Sequence, residues 1–176
     1  AFPDLQLDPL KGMAEAEWFV KRPDVGDKDA TFQCSGVGGP LLGARLDELI
    51  IDDVMDAENS ATQLQRDKVW QWLTSTAFSR LTEGGRILCI GTRWHEDDVY
   101  GRMIKLGFRV LHYPAILDGK PLWDRWTLED LLEKRREVGS RQFEMMYQGN
   151  PVPLEGGVLK RNNGSLSPST ESMSSN

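Results

Sequence analysis

Two short groups of polar residues follow apolar runs and have the side chains needed for phosphoryl transfer. Two acids follow the run 49–51, and a small polar group follows the run 87–90. Carboxylates bind Mg²⁺ or orient an attacking water, and a guanidinium pairs well with phosphate. Short apolar runs are typical of buried parallel strands, whose carboxyl ends carry the site in open α/β sheets. We therefore expect a magnesium–nucleotide site at two neighbouring strand ends, built from Asp52, Asp53, Gly91, Thr92 and Arg93.

Simpler interpretations of these residues stay open at this point. Asp is favoured in turns, so the acid pair is also compatible with a plain strand end. We interpret Glu96, Asp97 and Asp98 as a strand-to-helix connection whose acids complement the helix dipole. His95 beside these acids suggests a metal, yet the chain has only two histidines, and zinc sites usually recruit several His or Cys ligands. A zinc enzyme is not expected.

The sequence contains no phosphate-binding loop of the G-x-x-x-x-G-K-[ST] type. The stretch 38–45 has both outer glycines but continues Ala44-Arg45 where Lys and Ser or Thr are required. It also precedes a strand instead of joining a strand to a helix. We expect the glycines at 36–43 to shape a tight loop at the nucleotide or DNA face, with Arg45 exposed on it.

The elements that would position these residues alternate between strand and helix. The pattern predicts a mostly parallel α/β fold. A capping box at Ser60 and Gln63 is predicted to begin the first long helix, and Thr127 a later one. Predicted strands cover 31–37, 46–51, 86–90 and 108–113, and predicted helices cover 60–82, 97–106, 127–139 and 140–147.

Composition narrows the class of protein. The chain has 176 residues, enough for one domain with a core, and its charged fraction of 27% is ordinary for a globular protein. A net charge of −6 argues against non-specific coating of nucleic acid. No apolar run approaches the roughly 20 residues that span a membrane. Cys34 and Cys89 lie in apolar runs, so we expect two buried thiols and a reducing compartment.

Domain boundaries can be predicted from composition. Residues 1–30 are polar and irregular, and residues 31–160 carry the motifs. Residues 161–176 are rich in serine and are predicted to be disordered. Because the chain begins at Ala1 without a methionine, we expect it to be a fragment.

The ordered motifs resemble the large terminase subunit of tailed bacteriophages. The resemblance covers roughly 130 residues, and its most specific part is Gly-Thr-Arg-Trp-His-Glu-Asp-Asp at 91–98. The other matching stretches are 31–33, 36–39, 49–53, 122–123, 139–143, 147–148 and 153–157.

The resemblance implies the C-terminal part of an ATPase domain with the additional-strand, RecA-like P-loop fold. Asp52 matches the Walker B acid that holds Mg²⁺, and Asp53 falls where the family carries its catalytic acid. Gly91, Thr92 and Arg93 match the coupling motif, with Gly91 at the nucleotide. Arg45 is a candidate for an arginine that reaches a neighbouring subunit's nucleotide.

The resemblance also implies what the matching part lacks. The Walker A strand and loop would precede it, so the edge beside the strand ending at Gly91 is expected to be unpaired. The nuclease domain would follow it. The motifs therefore support neither ATP hydrolysis nor DNA cleavage by this chain alone. In the complete protein, the implied ligands are Mg²⁺ and ATP. The implied partners are double-stranded DNA, the portal protein, the small terminase subunit and further copies in a ring, in the host bacterial cytoplasm.

Two other functions remain as alternatives. One is an inactive, terminase-derived assembly module with the helices at 58–82 and 127–148 as partner surfaces. The other is a metal-dependent nuclease that uses Asp52, Asp53 and Asp98.

Overall fold

A parallel pair of strands forms the centre of the structure. The computed structural model describes residues 6–8, 10–11, 14–22, 28–41 and 45–152, so the predicted tail at 161–176 lies outside it. Strand β3 (Leu46–Asp52) pairs in parallel with β4 (Leu81–Ile90). The apolar runs of the sequence alternate between two faces, with Leu49, Ile51, Ile87 and Cys89 directed into the core.

Helix α1 (Gln63–Trp72) connects these two strands. Its N-cap is Thr62, which forms a capping box with Gln65, so the cap predicted at Ser60 and Gln63 is two residues too early. The helix continues as a π-helical turn (Leu73–Ala77) and a 3₁₀ turn (Phe78–Arg80), and β4 then begins five residues earlier than predicted. Val69, Leu73 and Ala77 recur every four residues and are buried, whereas Leu64 is exposed.

Helix α2 (Val99–Lys105) follows β4 and completes the first core. Val99, Tyr100 and Met103 pack on its inner side together with Ile51 and Met55. Its C-cap is Leu106, the last residue of the predicted range, whereas its first residue lies two positions after the predicted start. Helix α2 packs against residues 91–98, the connection that joins it to β4.

A second core contains the C-terminal helices. Helices α3 (Leu128–Val138) and α4 (Ser140–Met146) pack Leu131 and Phe143 against Ala115, beside a hairpin formed by β5 (Ile116–Leu117) and β6 (Lys120–Pro121). Thr127 caps α3 as predicted, and Gly139, with a positive φ of 82°, separates α3 from α4.

Several sequence predictions are corrected by the pairing of the strands. The described residues contain one parallel pair and two antiparallel pairs, so the prediction of a mostly parallel sheet is confirmed only for β3 and β4. The antiparallel pair of β1 (Glu17–Trp18) with β2 (Phe32–Gln33) joins the segment predicted as irregular to the strand predicted at 31–37. The segment 108–113 forms no strand, because no described strand supplies the hydrogen bonds that a ladder requires.

The two thiols differ from their predicted burial. Cys34 is exposed, and Cys89 is partly buried within the first core. Burial, and to a lesser extent the charge of Asp98, raise the pKa of the Cys89 thiol to about 12. Among the described residues, no helix is both long and apolar enough to cross a membrane.

Candidate functional site

The carboxyl ends of β3 and β4 lie side by side. Asp52 is opposite Ile90 in the strand register, and the Asp53 amide donates a hydrogen bond of 3.0 Å to the Ile90 carbonyl. Gly91 and Thr92 follow directly, so the structure brings these two residues next to the acid pair. Both acids are exposed at this edge. The parallel register therefore creates the shared strand edge that the two apolar runs predicted.

Asp53 turns the chain at the end of β3. Its φ of +46° lies in the left-handed region, which Asp adopts more readily than most residues with a side chain. The following connection is fixed by hydrogen bonds between Asp56 and Asn59 in both directions, of 2.9 and 2.7 Å. Buried Met55 anchors the same connection in the core. The acid pair thus lies at the start of a connection that is held by hydrogen bonds and by one buried side chain.

Gly91 is required by the close approach of Tyr100. A Cβ atom at residue 91 would lie 1.9 Å from the Tyr100 hydroxyl oxygen and 2.3 Å from its ring carbon Cζ. Tyr100 is only 8% exposed, and burial raises the pKa of its hydroxyl well above the usual value. The Tyr100 ring of α2 therefore packs directly on the end of β4. Only glycine at residue 91 leaves room for this ring.

Arg93 is held within its own loop. Its Nε donates to both carboxylate oxygens of Asp98, at 3.0 and 3.1 Å. Its Nη2 donates to the carbonyls of His95 and Glu96, at 3.3 and 3.2 Å. The side chain is 20% exposed and that of Asp98 is fully buried. The Nε–Nη2 edge of the guanidinium therefore donates to atoms of its own loop.

Asp98 organises the connection between β4 and α2. It is the N-cap of α2 and accepts hydrogen bonds from the amides of Trp94, His95 and Gly101, at 3.0, 3.2 and 2.8 Å. A buried carboxylate is tolerated because a cation and several donors satisfy it. The interpretation of Asp98 as a residue of the helix start is confirmed.

Asp97 faces the other way and connects α2 to α1. Arg102 donates to Asp97 at 2.7 Å and to Asp67 at 2.6 Å, and Gln63 donates to Asp97 at 3.2 Å. The hydrogen bond from Arg102 lowers the pKa of Asp97 to about 2. The two adjacent acids therefore have different partners. Asp98 pairs with Arg93 in the loop, whereas Asp97 pairs with Arg102 of α2 and Gln63 of α1.

His95 takes part in the hydrogen bonds of this connection. Its Nδ1 accepts a hydrogen bond of 2.9 Å from the Asp97 amide, which requires that this nitrogen carries no proton. Burial is the main cause that lowers the pKa of His95. Neutral imidazole is thus the form that stabilises the loop.

The pKa of Asp97 leads to a prediction about acid stability. Because the folded chain lowers this pKa from 3.8 to about 2, the ionised carboxylate stabilises the fold above pH 3.8. That contribution is lost as the pH falls towards 2. We expect urea denaturation to reveal a steeper loss over this window in the wild type than in Asp97→Asn. The difference should stay within about 1 kcal/mol, because the pair is partly exposed. Parallel pH profiles of the two proteins would contradict this role of Asp97.

The described residues contain no group of three or more His, Cys, Asp or Glu side chains placed to hold a metal. Asp52 and Asp53 fit the one or two carboxylates with which proteins usually hold Mg²⁺ beside a nucleotide. Asp98 does not join them, since its oxygens are occupied by Arg93 and by backbone amides. The geometry therefore argues against the nuclease that would use Asp98 as a third metal ligand.

Arg45 lies away from the strand ends. It immediately precedes β3, so the strand length of about 3.3 Å per residue puts it roughly 20 Å from Asp52. Its Nε donates to Asp29 at 3.0 Å. Within one chain, Arg45 is not brought to the acid pair.

Two residues of the site were not singled out from the sequence. Tyr100 packs on Gly91, and Gly101 lets the loop approach α2, because a Cβ atom there would lie 2.1 Å from the Glu96 carbonyl oxygen. A glycine inside a predicted helix was the available signal, since it costs about 1 kcal/mol relative to alanine unless packing requires it.

The fold and the strand ends define a mixed α/β protein with an acidic, parallel strand pair, and comparison with known proteins narrows this class. The chain is 31% identical over 152 residues to a protein described as "Terminase, large subunit" from Enterobacteria phage T3. The alignment covers 83% of this chain and 26% of that protein, so the chain spans about a quarter of its relative's length. No protein-family model matches the chain. The similarity confirms the resemblance carried by the motifs: the chain is a relative of the terminase large subunits.

Proposed function

We propose that the chain forms the Walker B and coupling-motif part of a terminase motor, which in the complete protein hydrolyses ATP to package double-stranded DNA. The observation that supports this proposal most directly is the register of β3 and β4. It sets Asp52 and Asp53 beside Gly91 and Thr92, joined by the hydrogen bond from Asp53 to Ile90. Acids and a hydroxyl at adjacent strand ends suit the binding of Mg²⁺ and a triphosphate.

Each residue of the strand ends has a proposed task. Asp52 holds Mg²⁺, directly or through water, and Asp53 orients the attacking water. Gly91 allows the nucleotide to approach the end of β4, and Thr92 and Arg93 report the state of the γ-phosphate. When bound, Mg²⁺ neutralises charge on the phosphates. Arg45 acts in a ring of copies, at the nucleotide of a neighbouring subunit.

The free edge of β4 supports the proposed P-loop core. In the described part of the chain, β4 pairs with β3 alone. A groove separates the other edge of β4 from residues 108–113, which line its far wall. Ile50, Leu88 and Ile90 are about half exposed on the same sheet. A strand bearing a Walker A loop, supplied by other sequence of the complete protein, would pair with the free backbone N–H and C=O groups of this edge.

The partners and location follow from the same proposal. We infer that the complete protein acts in the host bacterial cytoplasm with DNA, the portal protein and the small terminase subunit. The alternative of an inactive assembly module gains no specific support from the similarity to a terminase large subunit.

Nucleotide binding by the purified chain tests the proposal. We expect a fluorescent ATP analogue to bind in a Mg²⁺-dependent, saturable manner. Asp52→Ala should weaken this binding at least tenfold, which corresponds to about 1.4 kcal/mol. Asp47→Ala is the matched control, because it removes the same charge near the opposite end of β3 and should leave binding unchanged. Absence of binding by the folded chain, or equal binding by Asp52→Ala, would contradict the proposal.

A further inference from the structure

The guanidinium of Arg93 is committed to its own loop. Phosphate is best bound by two parallel N–H groups of arginine. The guanidinium offers such a pair on its Nε–Nη2 edge and on its Nη1–Nη2 edge, and both edges include Nη2. In this chain, Nε donates to Asp98 and Nη2 donates to the carbonyls of His95 and Glu96. Each edge that could bind a phosphate through two N–H groups therefore contains Nη2, which already donates to two backbone carbonyls. Releasing the guanidinium would leave a buried carboxylate without its cation, which is costly.

The contacts of Asp98 extend this arrangement to the whole loop. The same carboxylate accepts from the amides of Trp94, His95 and Gly101, so it joins the loop to the first turn of α2. Gly101 permits the contact, because a Cβ there would lie 2.9 Å from Nη2 of Arg93. Arg93, Asp98 and the loop amides that bind Asp98 thus form one unit, which packs against Gly101 of α2.

Thr92 immediately precedes Arg93 in the chain, close to the strand end that carries the acid pair. It follows Gly91 at the end of β4, where the Asp53 amide is bonded to Ile90. Its side chain is partly exposed, and its hydroxyl has no hydrogen bond to another described residue. The Thr92 hydroxyl is therefore available for a ligand, whereas the fork of Arg93 is not.

We infer that Arg93 and Asp98 are a positioning pair that presents the Thr92 hydroxyl to the γ-phosphate of a bound nucleoside triphosphate, and that Arg93 does not itself bind the phosphate. The inference rests on the proposed function, in which Thr92 and Arg93 share one role at the γ-phosphate. It assigns a different part of that role to each residue. Thr92 makes the contact, and the ion pair sets the backbone that carries Thr92.

Substitution of Asp98 separates the two possible roles of Arg93. Asn is a good N-cap, so Asp98→Asn keeps an acceptor for the Gly101 amide at the start of α2. It removes the charge that holds Arg93, and its NH2 group replaces the oxygen that accepts from the Trp94 and His95 amides. If Arg93 positions Thr92, the preference for ATP over ADP falls about fivefold, corresponding to about 1 kcal/mol. If Arg93 binds phosphate directly, the freed guanidinium strengthens ATP binding, and this result overturns the inference.

The experiment measures the dissociation constants of fluorescent ATP and ADP analogues, with Mg²⁺, for five forms of the full chain. They are the wild type, Asp98→Asn, Arg93→Lys, Thr92→Val and the double variant Thr92→Val/Asp98→Asn. Arg93→Lys keeps the charge but loses the fork, so we expect it to lower the ATP preference as Asp98→Asn does. The double variant should lose no more preference than Thr92→Val alone, since the two residues act as one unit.

Each result has a definite consequence. An additive double variant, or an unchanged ATP preference in Asp98→Asn or Thr92→Val, overturns the inference while Asp52-dependent binding upholds the proposed function. Absence of Asp52-dependent binding in the wild type overturns both. If Asp98→Asn does not fold, Arg93→Lys is combined with Thr92→Val instead: a double variant that loses no more ATP preference than Thr92→Val alone supports positioning, and a further loss overturns it.

Discussion

Asp98→Ala is expected to lower the free energy of unfolding by about 3–5 kcal/mol, the usual cost of removing one partner from a buried ion pair. The loss includes the charge partner of Arg93, the N-cap of α2 and the acceptor for three backbone amides. An alanine side chain replaces none of these acceptors, and water reaches the position poorly because Asp98 is fully buried. Urea denaturation of the full chain, followed by circular dichroism, measures the difference.

The neighbouring acid supplies a matched control for this experiment. Asp97→Ala removes the same charge one residue away, but its side chain is partly exposed and its partners Arg102 and Gln63 reach water. We expect a loss below about 1 kcal/mol. Similar small losses for the two variants would show that the Asp98 network does not stabilise the fold.

Gly101→Ala is expected to destabilise the chain by about 2–3 kcal/mol, although alanine favours helix over glycine by about 1 kcal/mol. The new Cβ would lie 2.1 Å from the Glu96 carbonyl oxygen, which belongs to the backbone and cannot turn away as a side chain does. Relief requires the loop to leave α2, and this movement breaks the contacts of Arg93. The loss should appear as a lower melting temperature and a lower urea midpoint.

Gly36→Ala is the comparison for this substitution. A Cβ at residue 36 meets no atom within 4 Å, and no positive φ constrains the residue. We expect a change within about 1 kcal/mol, in the stabilising direction, because alanine restricts the unfolded chain. If Gly101→Ala were equally neutral or stabilising, the close packing of the loop on α2 would be refuted.

The local signals in the sequence predicted several elements well. The run before Asp52 predicted β3, and Thr127 with Asp130 predicted the start of α3. Such signals succeed because a cap or an apolar run acts on neighbouring residues and needs no distant partner. The capping box of α1 was placed two residues early, at Ser60 instead of Thr62, since several adjacent hydroxyl residues can each serve as an N-cap.

Predictions that depended on distant partners were less successful. The segment 108–113 has the composition of a strand, but a strand requires a neighbour, and β4 is separated from this segment by a groove. Leu64 is an apolar residue of α1, yet it is 65% exposed because no described element packs over it. Cys34 is exposed for the same reason, although it lies in an apolar run.

The sequence by itself determined the candidate residues and the class of protein, because the acid pair, the polar group after the second strand and their spacing are local properties. The tertiary structure decided how these residues are used. The parallel register brought Asp53 to the end of β4, and the folding of α2 onto its own connection gave Asp98 to Arg93. Both outcomes depend on contacts between elements, and the packing of those elements settles which side chains remain available to a ligand.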